Sequence, residues 1–373
     1  MRATKAIIHL DNLKHNIEEI KRFLKPQVKL CIPVKADAYG HGALQVAIAA
    51  IKAGAHALAV ASIQEGVELR NAGIVCPIMS LSLPTLAELD EILLNNIEPL
   101  VMDSEFISAL NERAYRLNTI GRVHLKIDTG MNRIGCAPEQ ATDLVLQIAG
   151  SQYLELAGIA THFAVADSYT QEDIRFTHEQ IRSFTNAVHT ITAHSIRCPC
   201  VHAANSGAIL NYPEAHFDMV RPGILVYGYL PSAQSKKQKI QLRPTMSLVT
   251  QVVLIKNIKK GNSVSYGCRW TASENTYIGT LPIGYADGLS RLLTGKLKVK
   301  IGGEFYPIVG TICMDQCMVD LGPTLRIHRW DEVEIFGCSE KSNTAETLAE
   351  QAQTIPYEII SNINKRVPRV YFE

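Results

Sequence analysis

Eight short apolar runs, at 29–35, 56–61, 76–81, 98–102, 122–128, 156–162, 198–203 and 217–221, alternate with longer stretches whose apolar residues recur at helical spacing. Runs this short and this apolar read as strands buried on both faces, and helical crossovers between them make the strands parallel. The intervening helices are expected at 42–53, 63–72, 84–95, 103–117, 139–149 and 171–190, with Ser62 and Asp103 as caps and Asp173 near the start of the longest. Eight strand–helix units in roughly 200 residues fit a (β/α)8 barrel, because right-handed crossovers leave few other arrangements. A doubly wound open sheet is the alternative. One further apolar patch, Ala6 to Leu10, precedes the count and is expected to pair outside the barrel.

After Gly228 the texture changes. Pro231-Ser232-Ala233-Gln234 and the cluster Ser235-Lys236-Lys237-Gln238-Lys239 read as a solvated linker, and strand-like runs follow at 247–255, 276–281, 297–301, 305–314, 317–321 and 332–336. Helical character returns only from Thr344. The fold class is therefore α/β, with an N-terminal barrel domain over 1–232 and a mainly β domain over 233–373. Thirty-seven basic against thirty-six acidic residues provide no field for a nucleic acid. The longest apolar stretch, Ala43 to Ser62, is broken by Lys52 and His56, and the N-terminus lacks a signal peptide's apolar core, so no membrane partner is expected. Nine cysteines, an odd number without a CxxC pair, point to free thiols in a reducing, cytoplasmic setting rather than to disulfides or a metal site.

In such barrels, catalytic groups sit at the C-terminal ends of the strands. Lys35 ends the first run, Asp128 the fifth and His162 the sixth, while Asn205-Ser206-Gly207 follows the seventh and Arg221-Pro222-Gly223 the eighth. Singly, each has an ordinary reading: a solvated lysine, a helix-capping aspartate, a core histidine, a structural ion pair. Five at one mouth favour a site. A lysine there can be desolvated and form a Schiff base with an aldehyde such as pyridoxal phosphate. Ser206 and Gly223-Ile224 stand where these barrels commonly hold a phosphate.

With these residues in place, the chain resembles the alanine racemases, pyridoxal-phosphate enzymes built of a barrel and a C-terminal β domain. The resemblance runs end to end and rests on an ordered set of motifs. These are Val34-Lys35-Ala36-Asp37-Ala38-Tyr39-Gly40-His41-Gly42, Lys126-Ile127-Asp128-Thr129-Gly130-Met131-Asn132-Arg133-Ile134-Gly135, His202-Ala203-Ala204-Asn205-Ser206-Gly207 and Arg221-Pro222-Gly223-Ile224. In the second half come Ser265-Tyr266-Gly267, Gly284-Tyr285-Ala286-Asp287-Gly288, Cys313-Met314-Asp315-Gln316 and Pro356-Tyr357-Glu358.

The resemblance implies that Lys35 carries pyridoxal 5'-phosphate and that Tyr39, Ser206, Gly223, Ile224 and Tyr357 hold its phosphate. Racemisation removes an α-proton from one face and returns one to the other, so two bases must flank the carbon. By resemblance these are Lys35 on the D-face and Tyr266 on the L-face, the latter supplied by the second subunit of a head-to-tail homodimer. A tyrosine hydroxyl has a reference pKa of about 10, so one used as a base at neutral pH needs a neighbouring cation. Arg133 and His162 are placed in that neighbourhood. Arg221, a donor that keeps its proton, is expected to face the pyridine nitrogen with His162 supporting it.

Arg133 and the backbone of Met314 are expected to bind the substrate carboxylate, with Tyr285 and Asp315 at the entrance. Lys126 matches a lysine that many alanine racemases carbamylate. Thr311 departs from the arginine found there in many members, so an entrance charge network cannot be copied from them. The implied activity is interconversion of L- and D-alanine, with D-alanine supplied for peptidoglycan, although catabolic isozymes share the motifs. Rival readings are a serine or broad-range racemase, a fold-type III decarboxylase and a non-catalytic pyridoxal-phosphate carrier.

Overall fold

The computed structural model describes residues 2–232, 234–235, 239–339 and 341–373. Ala233 and Lys236-Lys237-Gln238 of the expected linker lie outside them. The chain opens with β1 (Lys5–His9) and a helix over Leu10–Arg22 that buries Leu10, Leu13, Ile17 and Ile20 on one face. Eight parallel strands follow: β2 (Lys29–Pro33), β3 (Ala57–Val60), β4 (Ile78–Ser80), β5 (Ile97–Val101), β6 (Gly121–Lys126), β7 (Leu154–Ala160), β8 (Val201–His202) and β9 (Met219–Val220). The last pairs with the first, Met219 beside Lys29 and Val220 beside Leu30, and closes the barrel. That closure rules out the open doubly wound sheet, and each strand overlaps its expected run, with β5, β6 and β7 starting one or two residues earlier. Ser62 and Asp103 cap their helices through the N–H groups of Glu65 and Phe106, while Thr170 rather than Asp173 caps the long helix Gln171–Ala193.

Inside the barrel, Cys31, Ala57, Ala59, Met79, Leu100, Ala160, Cys200 and Met219 form a cluster of mostly small side chains. Their modest volume leaves room for larger polar groups on β6 and β8 and just past β9. His124, Lys126, His202 and Arg221 are all buried there.

The C-terminal half comprises β10 (Met246–Gln251), β11 (Leu254–Ile258), β12 (Ser263–Val264), β13 (Trp270–Thr271), β14 (Thr276–Leu281), β15 (Lys298–Ile301), β16 (Glu304–Val309), β17 (Cys317–Asp320), β18 (Glu332–Phe336) and β19 (Arg369–Phe372). With β1 they build a nine-stranded sheet, apart from the β12–β13 hairpin. β1 runs antiparallel to β10 and parallel to β19, so the N-terminal apolar patch does pair outside the barrel. The run expected as one strand over 247–255 breaks at Val252. Its two halves, β10 and β11, have five strands between them in the sheet, which curls to bring them together. All nine cysteines are unpaired, and no helix among the described residues is long and apolar enough to cross a membrane.

One buried amide ties the two halves together. Asn16, fully buried on the first helix, donates from Nδ2 to the carbonyls of Val226 (3.0 Å) and Arg243 (2.8 Å) and accepts the Arg243 N–H at 2.8 Å. An apolar residue there would leave three buried backbone groups unpaired, at roughly 1–3 kcal/mol for each that water cannot reach. Asn16→Leu should therefore lower the unfolding free energy by about 2–5 kcal/mol in a urea titration.

Candidate active site

The mouth of the barrel is shaped by an unusual turn. After β2 the Val34 N–H still bonds to the Ala59 carbonyl (2.8 Å), and then Ala36, Asp37, Ala38 and Tyr39 all adopt left-handed dihedrals, φ 52° or 53°. Each such residue costs about 1–2 kcal/mol, so the turn survives only because its surroundings impose it. Glu65 accepts the Ala36 N–H at 2.7 Å, the Asp37 carboxylate accepts the N–H of Ala43 at 2.8 Å, and Tyr39 stacks on Tyr227 with ring centres 4.7 Å apart. The result is a tight reversal that leaves the Lys35 side chain on the wall of a cavity of about 660 Å³.

That cavity brings together most of the residues singled out in the sequence: Lys35, Tyr39, Lys126, Arg133, His162, Ser206, Arg221, Gly223 and Tyr357 all line it. Burial lowers the pKa of Lys35, with Arg133 adding to the shift and Glu65 opposing it, so the amine loses its proton more readily than a solvated lysine. Burial, followed by Arg221, pushes Lys126 well below its ordinary value. Asp128 does not reach for substrate. Its Oδ1 accepts the N–H groups of Gly130 (2.9 Å) and Asn132 (3.1 Å), shaping the loop that presents Arg133.

Beside the Lys35 turn, Ser206 Oγ accepts the Gly223 N–H at 2.9 Å. A Cβ on Gly223 would stand 3.0 Å from the Tyr39 hydroxyl and 3.7 Å from Ser206 Oγ. Glycine thus keeps open a cradle walled by two hydroxyls and backbone, the donor set that an oxyanion requires. Ile224 opens the short turn behind it and is fully buried, so any contact from it is through backbone.

Arg221 is buried and satisfied by neutral acceptors. One terminal nitrogen donates to His202 Nδ1, and the other faces the carbonyls of Thr161 (2.7 Å) and Ala203 (3.0 Å) and His162 Nδ1 (3.2 Å). His162 was the expected support; His202 joins it. The sequence held one usable signal for His202, its position in the short run before Asn205-Ser206-Gly207. Burial lowers the Arg221 pKa only to about 10, so it stays cationic at neutral pH. Burial and then the charge of Arg221 drive both imidazoles well below their ordinary value, so both are neutral.

Besides Ile224, four expected residues, all in the β-rich half, are absent from this cavity's walls. Tyr266 is 75% exposed on the β-rich half, and Tyr285, Met314 and Asp315 are exposed there too. They nevertheless form one patch. The Tyr285 N–H bonds to the Cys313 carbonyl and that of Ala286 to the Met314 carbonyl, both at 3.0 Å. Ser265 Oγ donates to the Thr311 carbonyl at 2.6 Å, and Thr311 Oγ1 donates to the Tyr266 carbonyl at 2.9 Å. Ser265 sits at φ 67°, ψ −177°, a region that glycine alone visits cheaply, so the backbone presenting Tyr266 is strained and clasped from behind. Thr311 is thus a clasp for Tyr266, and Asp315 pairs instead with Arg366 at 2.6 Å.

The buried imidazoles carry a stability consequence. For His41, held by the Tyr39 carbonyl at 2.9 Å, burial lowers the folded-state pKa to about 4. His41, His162 and His202 all bind protons less readily folded than unfolded, so stability is full above about pH 6.5 and is lost as the pH falls through the folded values. Urea titrations should show the unfolding free energy dropping between pH 6.5 and 4. His41 alone should contribute about 3 kcal/mol, and His41→Gln should flatten that part of the profile.

Family models describing the N-terminal and C-terminal domains of alanine racemase match residues 8–231 and 245–371. An alanine racemase of Treponema denticola is 60% identical over 377 residues, covering 100% of this chain and 99% of its own. Among solved structures, the alanine racemase of Clostridium difficile 630 superposes with a TM-score of 0.94 at 39% identity, covering 100% of this chain and 96% of its own. That of Bacillus anthracis with bound L-Ala-P gives 0.93 at 33% identity, covering 100% and 96%. The cavity that Lys35 and Arg221 share and these matches along the whole chain lead to one conclusion: the chain belongs to the alanine racemase family.

Proposed function

We propose that this protein interconverts L- and D-alanine with pyridoxal 5'-phosphate attached to Lys35. The observation that carries the reading is the convergence, in one cavity, of a deprotonatable lysine, a hydroxyl-lined cradle at Gly223 and a buried arginine that can only donate. Tyr39, Ser206, Gly223, the backbone of Ile224 and Tyr357 would hold the phosphate, and Arg221 would face the ring nitrogen. When bound, the cofactor supplies an electron sink that acidifies the α-C–H of an attached amino acid.

The chain's own groups do the rest. The lowered pKa of Lys35 suits it to take and return a proton on the D-face. Tyr266 serves the L-face. Its exposure, outside its own chain's cavity walls, supports a head-to-tail homodimer in which each β-rich half completes the partner's site. Arg133 and the Met314 N–H would orient the substrate carboxylate, with Tyr285 and Asp315 at the entrance. Arg221 keeps its proton and so leaves a facing nitrogen unprotonated. That would keep the sink weak and favour return of the proton to the α-carbon. The matched segments 8–231 and 245–371 support a domain division near 232, except that β1 is built into the C-terminal sheet. D-Alanine for peptidoglycan, made in the cytoplasm, is the role we propose; nine free thiols support a reducing compartment.

Chiral chromatography of L-alanine and L-serine incubated with the cofactor-loaded protein tests the reading. D-Alanine should form well ahead of D-serine, and no D-isomer would refute it. Tyr266→Phe should slow α-proton exchange of L-alanine roughly 10²-fold or more while affecting D-alanine exchange much less. Mixing Lys35→Ala and Tyr266→Phe chains should restore activity to about a quarter of the sites, because half of randomly mixed dimers are hybrids and each hybrid has one intact site. Restoration at no ratio would exclude shared sites.

Burial favours the neutral amine at Lys126, the form that adds carbon dioxide to give a carbamate and a proton. We propose that modification, which would set an anion beside Arg133. Electron density at Lys126 should extend beyond Nζ, and a bare ammonium would exclude it.

A further inference from the structure

A line of polar contacts crosses the barrel from its catalytic mouth to its floor. Arg221 meets His202 Nδ1; His202 Nε2 lies 3.0 Å from His124 Nδ1; His124 Nε2 lies 3.0 Å from Glu98 Oε2. All four side chains are buried, from 0% exposure at His202 to 6% at Glu98. Glu98 is the second residue of β5, at the end of the barrel away from Lys35, and its other oxygen meets the half-exposed Arg122 at 3.0 Å.

The direction of every hydrogen bond in the line is forced. Arginine has donors only, so His202 Nδ1 must accept and its proton must sit on Nε2. That N–H can be satisfied only if His124 Nδ1 accepts, which puts the second proton on His124 Nε2, aimed at the Glu98 carboxylate. Reversing either imidazole would set two donors against each other in a buried site. Burial opposes ionisation of Glu98, but the bond from His124 and the nearby Arg122 and Arg70 outweigh it and hold the carboxyl below its usual range.

The barrel is built around this line. The β6–β7 register shifts between Val123 and His124, and the strand resumes with His124 opposite Gly158. A Cβ on Gly158 would stand 2.5 Å from His124 Nδ1 and 2.5 Å from the Cys200 carbonyl, so no other residue leaves space for the ring. The hydrogen-bond acceptors of Arg221 are two imidazoles and two carbonyls, none of them charged. The carboxylate joined to it by hydrogen bonds is Glu98, two rings away.

We propose that Glu98 and His124 are positioning residues that fix the tautomer of His202, and through it the orientation and charge distribution of Arg221 at the cofactor's ring nitrogen. The carboxylate polarises both rings and draws the guanidinium's charge toward the barrel floor. Without it that charge is expressed more fully toward the cavity, the sink strengthens, and proton return loses selectivity. This rests on the reading of Arg221 given above.

Two measurements test it. In protein labelled with ¹⁵N at histidine, His124 and His202 should both show a protonated Nε2 and a bare Nδ1 near neutral pH. A doubly protonated ring or an Nδ1–H form at either position overturns the relay, whether or not the protein is a racemase. In Glu98→Gln one amide oxygen cannot serve both His124 and Arg122, so the His124 signal should split between tautomers. Pyruvate released by water after the amino group has passed to the cofactor's aldehyde carbon, counted per D-alanine formed, should rise about tenfold, with the KM for alanine little changed, as expected for losing one charge-assisted bond. Altered tautomers with unchanged pyruvate release and kcat would overturn the functional half. Failure of the unsubstituted protein to racemise alanine would refute the proposed activity instead and leave the tautomer result standing. If Glu98→Gln does not fold, the spectrum of the unsubstituted protein still decides the relay.

Discussion

A guanidinium buried inside a closed barrel is the constraint around which this structure is organised. Removing a cation from water costs several kcal/mol even after the protein relaxes, unless hydrogen bonds replace the hydration shell. Arg221 obtains that replacement from carbonyls at the ends of two neighbouring strand segments, Thr161 and Ala203, and from the rings of His162 and His202. Those acceptors come together only if β7, β8 and β9 lie side by side at one register. The barrel's closure and the arginine's hydration thus depend on the same backbone geometry.

The same cation governs the chemistry of its surroundings. Its charge lowers the proton affinity of Lys126 and of both neighbouring imidazoles, so the rings beside it are neutral acceptors. Small residues in the barrel interior, Ala57, Ala59 and Ala160 among them, make room for the polar line. Backbone strain marks both places where side chains are delivered: the left-handed turn after Lys35 and the Ser265 backbone before Tyr266. Each is held by specific hydrogen bonds rather than by intrinsic preference, which is how a fold keeps a reactive side chain in a single orientation.

Much of the fold was legible because parallel barrel strands are buried on both faces and so appear as unbroken apolar runs. The residues at their ends, Lys35, His162, Ser206 and Arg221, stood out because polar groups after buried strands are rare without a reason. Other features left no periodic trace. Asn16 is one polar residue on an amphipathic helix, and its value appears only when the carbonyls of Val226 and Arg243 arrive beside it from distant sequence. Thr311 read as a departure from a pattern; its hydroxyl turns out to hold the Tyr266 carbonyl. The split of 247–255 into β10 and β11 was hidden because a continuous apolar stretch does not record where a sheet curls.

By itself, the sequence determined the barrel, the β-rich second half and the set of residues at the barrel mouth, since burial periodicity and strand-end chemistry are local properties of a chain. Only the tertiary structure decided which of those residues share a cavity, that Tyr266 faces outward, and that Glu98, His124, His202 and Arg221 form one directed line. The reason is physical: a hydrogen bond depends on distances of a few tenths of an ångström between groups far apart in sequence, here 78 residues for His124 and His202, and no local pattern encodes such a meeting.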